Sequence, residues 1–327
     1  MRRFSYSLSG GRLFPLFIGF YIPYLICYAA VLAGSRLAQD GPSGGPSAAA
    51  GLAAALGGYV GLLLLYLLFT IPFLRRLLPA LSLEGQALEF RGSIGRFVGL
   101  NLLGILLSAV TLGIYAPWFA ARVTRYLVGE TSYRGTAWEF NGKGSRLFVI
   151  LLLSLVLPVA VITGLFILLV RGSGDFGQAE SFSLSFAVTV VVLLLVIPPY
   201  LYLVYRWFFN NLRLSRRDVR WNTRFWPAVG IMFLQLVLTL LSALVYWPGA
   251  YIRLYAYFAR RTEITEAGAV RQVAGFDGPV GRGFLLLWGQ VLLTLLTMGI
   301  YAPWAMARVG HWFAEHTSLD LPSEAEA

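Results

Sequence analysis

Three arginines, each five residues after a proline, are the side chains best placed for chemistry: Arg122, Arg253 and Arg308. On a helix, Trp118 shares a face with Arg122 and Arg125, and Trp304 shares one with Arg308. One interpretation is a cation held over an indole ring and aimed at the phosphate of a lipid headgroup or an anionic substrate. The alternative is that each long side chain reaches the headgroups and only anchors its helix.

Other chemistry is poorly represented in the sequence. The two histidines, His311 and His316, are five residues apart and do not stack on one helical face. No HExxH, phosphate-loop, dinucleotide-binding or Gly-x-Ser-x-Gly pattern occurs. We therefore predict no enzymatic activity, no metal site and no cofactor. Neutral polar residues within the apolar runs, such as Gln235 and Gln290, are interpreted as contacts between helices.

The arginines follow a stretch that the chain contains twice, Thr-x-Gly-Ile-Tyr-Ala-Pro-Trp at 111–118 and 297–304. Glycine accepts unusual backbone dihedrals and proline cannot continue a helical hydrogen-bond ladder, so both copies predict a break between two helices. The predicted break residues are Gly113, Tyr115, Pro117, Gly299, Tyr301 and Pro303. A related stretch without the full motif surrounds Pro248.

The composition indicates a membrane protein, since 58% of residues are hydrophobic, the mean hydropathy is +0.71 and only 13% are charged. Soluble domains carry about twice that charged fraction. Apolar runs of about 20 residues, the length that spans a bilayer, occur at 13–33, 52–73, 97–118, 147–170, 182–205, 228–248 and 284–304. The net charge of +11 therefore indicates a cytoplasmic membrane face and not a nucleic-acid partner.

The positions of the basic residues favour one topology. If all seven runs crossed the bilayer, the 26 basic residues would divide evenly between the two sides. If the three runs with Pro117, Pro248 and Pro303 fold back, all but Arg36 and Arg171 lie on the cytoplasmic side. We therefore predict four full spans and three shallow re-entrant or kinked helical hairpins, with both termini cytoplasmic. Seven simple transmembrane helices are the alternative.

The fold class that follows is an all-α polytopic membrane protein, a single membrane domain over 1–327, built from internal repeats. Each repeat has a helix, a helix broken at Gly and Pro, and a short cytoplasmic β-hairpin. The predicted units are 12–90, 97–140, 147–221, 228–276 and 284–321. The two terminal segments are expected to pair and close the series. Outer loops are predicted at 34–51, which should be flexible, and at 171–181.

These motifs resemble those of the YjgN-like family of bacterial inner-membrane proteins of unknown function. The resemblance is carried by F-x-G-x-x-G-R, T-x-G-I-Y-x-x-W, T-S-x-x-G and W-E-F-x-G, and is clearest over 83–148 and 276–318. It implies a multi-pass location in a bacterial cytoplasmic membrane and supplies no catalytic residues. The third and fourth units depart from the pattern at Pro198-Pro199 and at Tyr246-Trp247-Pro248.

Two functions follow as hypotheses. The first is a non-enzymatic module that binds or transports a lipid, such as an anionic phospholipid, or another amphiphilic anion in the cell envelope. The second is a membrane scaffold that docks a cytoplasmic partner through its β-hairpins. A homo-oligomer is possible in either case and nothing in the sequence indicates one.

Overall fold

The computed structural model describes residues 2–42, 45–83, 85–172, 178–214, 217–266 and 269–319. Much of the predicted outer loop 171–181 lies outside these residues. Six helices build the long helical segments: α1 (Gly10–Asp40), α2 (Pro46–Leu77), α5 (Gly144–Leu151), α6 (Leu157–Gly172), α7 (Gln178–Leu195) and α8 (Ile197–Phe209). A π-helical turn, Leu152–Val156, joins α5 to α6.

Among the described residues, four helical segments are long and apolar enough to cross a membrane: Gly10–Asp40, Pro46–Leu77, Gly144–Leu168 and Ser183–Phe209. They coincide with the four runs for which full spans are predicted. At 1.5 Å per residue, the 31 residues of α1 extend over about 47 Å. That length exceeds the roughly 30 Å thickness of a hydrocarbon core.

The prediction of a flexible loop over 34–51 is wrong, because α1 continues to Asp40 and α2 begins at Pro46. Glycines in this stretch allow close helix packing. A Cβ atom at Gly34 would lie 2.5 Å from the backbone nitrogen of Ala55, and one at Gly51 would lie 2.4 Å from that of Ala38. The small residues therefore bring α1 and α2 into backbone contact.

Three short helical hairpins contain the proline motifs. We number them 1 to 3: α3 (Ile94–Val110) with α4 (Ala116–Gly129), α9 (Phe225–Leu241) with α10 (Trp247–Ala259), and α11 (Val280–Leu296) with α12 (Ala302–His316). The first helix of each has 17 residues, or about 26 Å, and the second has 13 to 15.

The predicted break is present in all three hairpins and has the same geometry. Gly113 and Gly299 have φ angles of +87° and +92°, which only glycine adopts without strain, and Leu244 has +70° at the matching place in hairpin 2. The amide of Gly113 donates to the carbonyl of Ser108 at 2.7 Å. Thr111 Oγ1 accepts from the Tyr115 amide at 3.0 Å, so the turn satisfies these two backbone amides itself.

The helices form a ring. Each helix that ends a hairpin or a pair of long helices packs against the helix that begins the next pair, so that α2 contacts α3, α4 contacts α5, α8 contacts α9 and α10 contacts α11. The series closes where α12 packs against α1. Residues near the two ends of the chain therefore lie side by side.

The strands form a second ring at one end of the helices. They are β1 (Arg2–Tyr6), β2 (Leu81–Leu83), β3 (Gln86–Ala87), β4 (Glu89–Phe90), β5 (Thr131–Tyr133), β6 (Thr136–Ala137), β7 (Glu139–Phe140), β8 (Leu212–Leu214), β9 (Arg217–Trp221), β10 (Thr262–Glu266), β11 (Ala269–Phe276) and β12 (Thr317–Leu319). Nine pair in the order β3-β2-β1-β12-β11-β10-β9-β8-β7, and three in the order β4-β5-β6.

Single residues join these two sheets end to end. Leu88 connects β3 to β4 and its amide donates to the carbonyl of Leu81 at 3.1 Å, while Trp138 connects β6 to β7 and donates to Thr131 at 2.9 Å. The antiparallel ladder is therefore closed. The all-α class is too narrow, because the β-hairpins pair with one another to form two sheets that are joined through Leu88 and Trp138.

One backbone contact recurs around the whole ring. The amide that follows the last residue of β1, β4, β7, β9 and β11 donates to the carbonyl just before the neighbouring strand, over 2.8 to 3.1 Å. The donors are Ser7, Arg91, Asn141, Asn222 and Asp277. The predicted boundaries of the five repeat units stay a prediction, whereas this contact is observed five times.

The two chain ends complete the ring, as the sequence predicts, since Arg3 of β1 pairs with Ser318 of β12. In a Cys27→Ala background, we expect cysteines at positions 3 and 318 to be joined by a short thiol cross-linker. Mass spectrometry would identify the linked terminal peptides. Cysteines at Ser5 and Ser82, whose hydroxyl oxygens lie 2.6 Å apart, are the positive control, and cysteines at 3 and Ser132 should not link. A 3–132 link without a 3–318 link would contradict the ring.

Candidate functional site

The three arginines each lie over a tyrosine seven residues earlier in the sequence. The guanidinium carbon is 5.6 Å from the ring centroid in Arg122–Tyr115 and Arg253–Tyr246, and 5.8 Å in Arg308–Tyr301. The prediction that an indole ring holds the cation is wrong. The side chain of a helical residue tilts towards the helix N-terminus, so each guanidinium reaches the tyrosine at the start of its own helix.

The two tryptophans instead pack hairpins 1 and 3 against the next helix. The Trp118 ring lies 5.2 Å from Phe148 of α5, and the Trp304 ring lies 5.1 Å from Phe14 of α1. A Cβ atom at Gly144 would lie 2.6 Å from Trp118 Cα. Each tryptophan therefore fills a notch made by a glycine and a phenylalanine one helical turn apart. Trp118 and Trp304 are packing residues in this structure.

Arg125 also lies apart from the arginine–tyrosine pairs. Its guanidinium donates to the carbonyl of Phe140 at 3.3 Å and to that of Gly142 at 3.1 Å. Arg75 makes the matching bond to Gly92 at 2.7 Å. Arg125 therefore fixes the link between β7 and α5, and the predicted six-residue set is not assembled into one site.

The tyrosines of hairpins 2 and 3 are held by buried glutamines. Tyr246 donates its hydroxyl proton to Gln235 Oε1, and Tyr301 donates to Gln290 Oε1, each at 3.0 Å. Both glutamines are less than a tenth exposed. Sequence reasoning treated these glutamines only as helix contacts. Each glutamine precedes its tyrosine by eleven residues, and this shared spacing is the signal in the sequence that could have revealed the contact.

Hairpin 1 has a glycine, Gly104, where the others have glutamine. The ring of Phe119 occupies the space, since a Cβ atom at Gly104 would lie 2.0 Å from it. The Tyr115 hydroxyl is consequently buried without a hydrogen-bond partner, and so is the hydroxyl of Ser108. The three arginine–tyrosine pairs are therefore alike in geometry but differ in the polar groups beneath the ring.

The three guanidinium groups belong to exposed residues, and none forms an ion pair within the described residues. Beside Arg253 lies a groove of about 370 Å³ lined by Leu238, Leu241, Ser242 and Tyr246. A free cation over an aromatic ring, next to an apolar groove, has the chemistry to bind an anion attached to a hydrocarbon chain. No cluster of three or more potential metal-ligating residues occurs in the described part of the chain.

The structure is that of a helical membrane protein, in which long and short apolar helices stand over a ring of strands. The three arginines of the short helices, which form no ion pairs within the described residues, are candidate anion sites. The chain belongs to a bacterial protein family of unknown function, DUF898, whose profile matches residues 2–282. Hairpin 3 lies almost entirely beyond that match. The resemblance inferred from the sequence motifs is confirmed.

A curated relative is the inner membrane protein YjgN of Salmonella typhimurium, which is 29% identical over 76 residues. The matched region covers 23% of this chain and 19% of the relative, so the chain matches about a fifth of that protein's length. No solved structure matches the chain. The similarity and the apolar helices together support an inner-membrane protein.

The different environments of the tyrosine hydroxyls predict opposite effects of the same substitution. Tyr301→Phe leaves the buried Gln290 amide without its partner and should lower stability by about 1–3 kcal/mol. Tyr115→Phe removes a buried hydroxyl that has no partner and should be neutral or stabilising. Unfolding of the two purified variants in one detergent would measure the difference. Equal losses would show that both hydroxyls are hydrogen-bonded.

Proposed function

We propose that the protein binds an anionic phospholipid, or another amphiphilic anion, through the arginine–tyrosine pairs of its helical hairpins, without catalysing a reaction. The observation that carries the proposal is the threefold recurrence of an exposed arginine, free of ion pairs, over a tyrosine ring. The expected role is lipid handling or envelope maintenance in the bacterial inner membrane.

The energetics support an anionic partner. An arginine at membrane depth costs about 2.5–3.5 kcal/mol on insertion scales. Arg122 is about 10 Å from the end of α4 at Gly129, and its guanidinium extends further towards the hairpin tip. A phosphate offers planar, bidentate hydrogen bonding that matches guanidinium geometry. Binding a phosphate would offset the cost of leaving this cation in an apolar environment.

The proposed topology places four spans across the inner membrane, three re-entrant hairpins that enter it from the cytoplasmic side, and the strand ring with both termini in the cytoplasm. The hairpin helices of about 26 Å and 20 Å are too short for a core of about 30 Å. The charge distribution agrees, since only Arg36 and Arg171 would lie outside. A lipid drawn to Arg122 would then lie deeper than its neighbours and thin the leaflet locally.

The alternative is a scaffold that docks a cytoplasmic partner through its β-hairpins. Docking by strand addition is disfavoured, because the strands that pair on one side only, β3, β4, β6 and β7, are each two residues long. The β-hairpins would have to bind such a partner through their turns or side chains. No described feature favours a particular partner, so lipid binding remains the preferred function.

Cysteine accessibility tests the topology. In a Cys27→Ala background, a cysteine at Gln39 should react with a membrane-impermeant maleimide added to the outside of intact spheroplasts. Cysteines at Tyr115 and Tyr301 should not react, because the hairpin tips end within the bilayer. Labelling at position 115 as fast as at position 39 would show that hairpin 1 crosses the membrane.

Lipid retention tests the binding function. The purified full-length chain should retain phosphatidylglycerol in native mass spectrometry. Changing Arg122, Arg253 and Arg308 together to glutamine should reduce retention about tenfold or more, since hydrogen bonds to charged groups contribute about 1.5–3 kcal/mol each. Exposed Arg282, near the start of α11, provides a matched Arg→Gln control. Unchanged retention in a triple variant of normal thermal stability would exclude these arginines as the lipid site.

A further inference from the structure

The tips of hairpins 2 and 3 are capped by the helix that follows each of them in the ring. Trp288 of α11 donates its indole N–H to the carbonyl of Val245 at 2.8 Å. Tyr21 of α1 donates its hydroxyl proton to the carbonyl of Met298. A neighbouring side chain thus satisfies a tip carbonyl in both cases and excludes other ligands from it.

Hairpin 1 lacks this cap. In the part of the chain that the structure describes, no side chain of α5 or of the π-helical turn donates to its tip. The π-helical turn Leu152–Val156 begins 12 residues after Phe140, and Trp288 likewise follows Phe276 by 12 residues. A π-helical turn in an otherwise α-helical segment is rare and is frequent at functional sites. It begins at the position that corresponds to Trp288, the residue that caps hairpin 2.

Two hydroxyls within hairpin 1 are also unsatisfied. Ser108 Oγ and Tyr115 Oη are buried without partners. In hairpins 2 and 3 the place of Ser108 is taken by Thr239 and Thr294. Their hydroxyl groups donate to the backbone carbonyls of Gln235 and Gln290, each at 2.7 Å. An unpaired buried donor costs about 1–3 kcal/mol. The same hairpin therefore has a free cation, two free hydroxyls and an uncapped tip.

We propose that hairpin 1 and the π-helical turn form the selective ligand site, and that hairpins 2 and 3 are structural. The site would take a phosphate-bearing ligand, with the Arg122 guanidinium on the phosphate oxygens and the hydroxyls of Ser108 and Tyr115 donating to the phosphate or an adjacent ester oxygen. This inference rests on the proposed function. It selects one of the three similar arginine–tyrosine pairs, because only hairpin 1 has buried hydroxyls without a partner among the described residues.

The other two hairpins do not offer this combination. Tyr246 and Tyr301 already donate their hydroxyl protons to glutamine, so their hydroxyls have no proton left for a ligand. Their arginine–tyrosine contacts are the same as that of hairpin 1 to within 0.2 Å. They therefore serve as internal controls for any effect of removing a tyrosine hydroxyl.

The test compares Tyr115→Phe with Tyr301→Phe in the full-length protein reconstituted in phosphatidylcholine nanodiscs. Retention of added phosphatidylglycerol is measured by native mass spectrometry. Tyr115→Phe should weaken retention about fivefold to tenfold, the contribution of one hydrogen bond, without loss of thermal stability. Tyr301→Phe should lower thermal stability and should reduce retention less than Tyr115→Phe does. Ser108→Ala should act like Tyr115→Phe, and Arg122→Gln should have the largest effect.

Inorganic phosphate and a water-soluble glycerophosphate distinguish the sources of the phosphate group. Competition by either compound in the wild type, lost in Tyr115→Phe, would indicate a soluble phosphate ester; no competition would indicate a membrane lipid. Equal retention by Tyr115→Phe and wild type, with retention still reduced in Arg122→Gln, would overturn the selective site and leave the proposed function standing. Unchanged retention in every arginine variant would instead defeat the proposed function.

Discussion

Backbone hydrogen bonding is the constraint on which the rest of the structure depends. A strand with an unpaired edge invites association with other chains, and short strands of two to eight residues have little stability alone. Each β-hairpin pairs with its neighbours, and the ring of strands closes only because β1 and β12 meet. Ring closure thereby fixes the order of the helical units, since each unit begins after one strand and ends before another.

The same constraint acts at the other end of the short hairpins. Backbone groups in an apolar environment must be satisfied within the protein. The three tips solve this with one turn, in which a threonine or serine hydroxyl accepts from the tyrosine amide over 2.9 to 3.0 Å. The tyrosine that the turn positions becomes the surface over which the arginine lies. The architecture of the break and the candidate site are therefore one structural unit.

Differences between the hairpins are more informative than their similarity. Gln235 and Gln290 satisfy their tyrosines, and Trp288 and Tyr21 cap the tips. Hairpin 1 has Gly104 and a π-helical turn at the corresponding places. These differences are the basis for the proposed distinction between two structural hairpins and one hairpin that binds a ligand. Departures of this kind are expected at functional sites.

Much of the fold was predictable because it depends on local signals. Apolar run length identified seven segments and the positions of the basic residues selected four of them as full spans. Gly113, Pro117 and their counterparts identified the breaks, since hydropathy and backbone sterics act along the chain. Which aromatic ring receives Arg122 was not predictable from helical spacing alone. Both Tyr115 and Trp118 lie within reach, and the choice depends on Trp118 filling the Gly144–Phe148 notch of another helix.

The sequence by itself determined a membrane class, the family, the helix breaks and the pairing of the two terminal segments. The tertiary structure decided that the hairpins close into one ring, that residues 34–51 are mostly helix, and that tyrosine is the partner of each arginine. It also revealed which tyrosine hydroxyl lacks a bond. These features arise from contacts between segments far apart in the chain, where packing and the competition for hydrogen-bond partners override local preference.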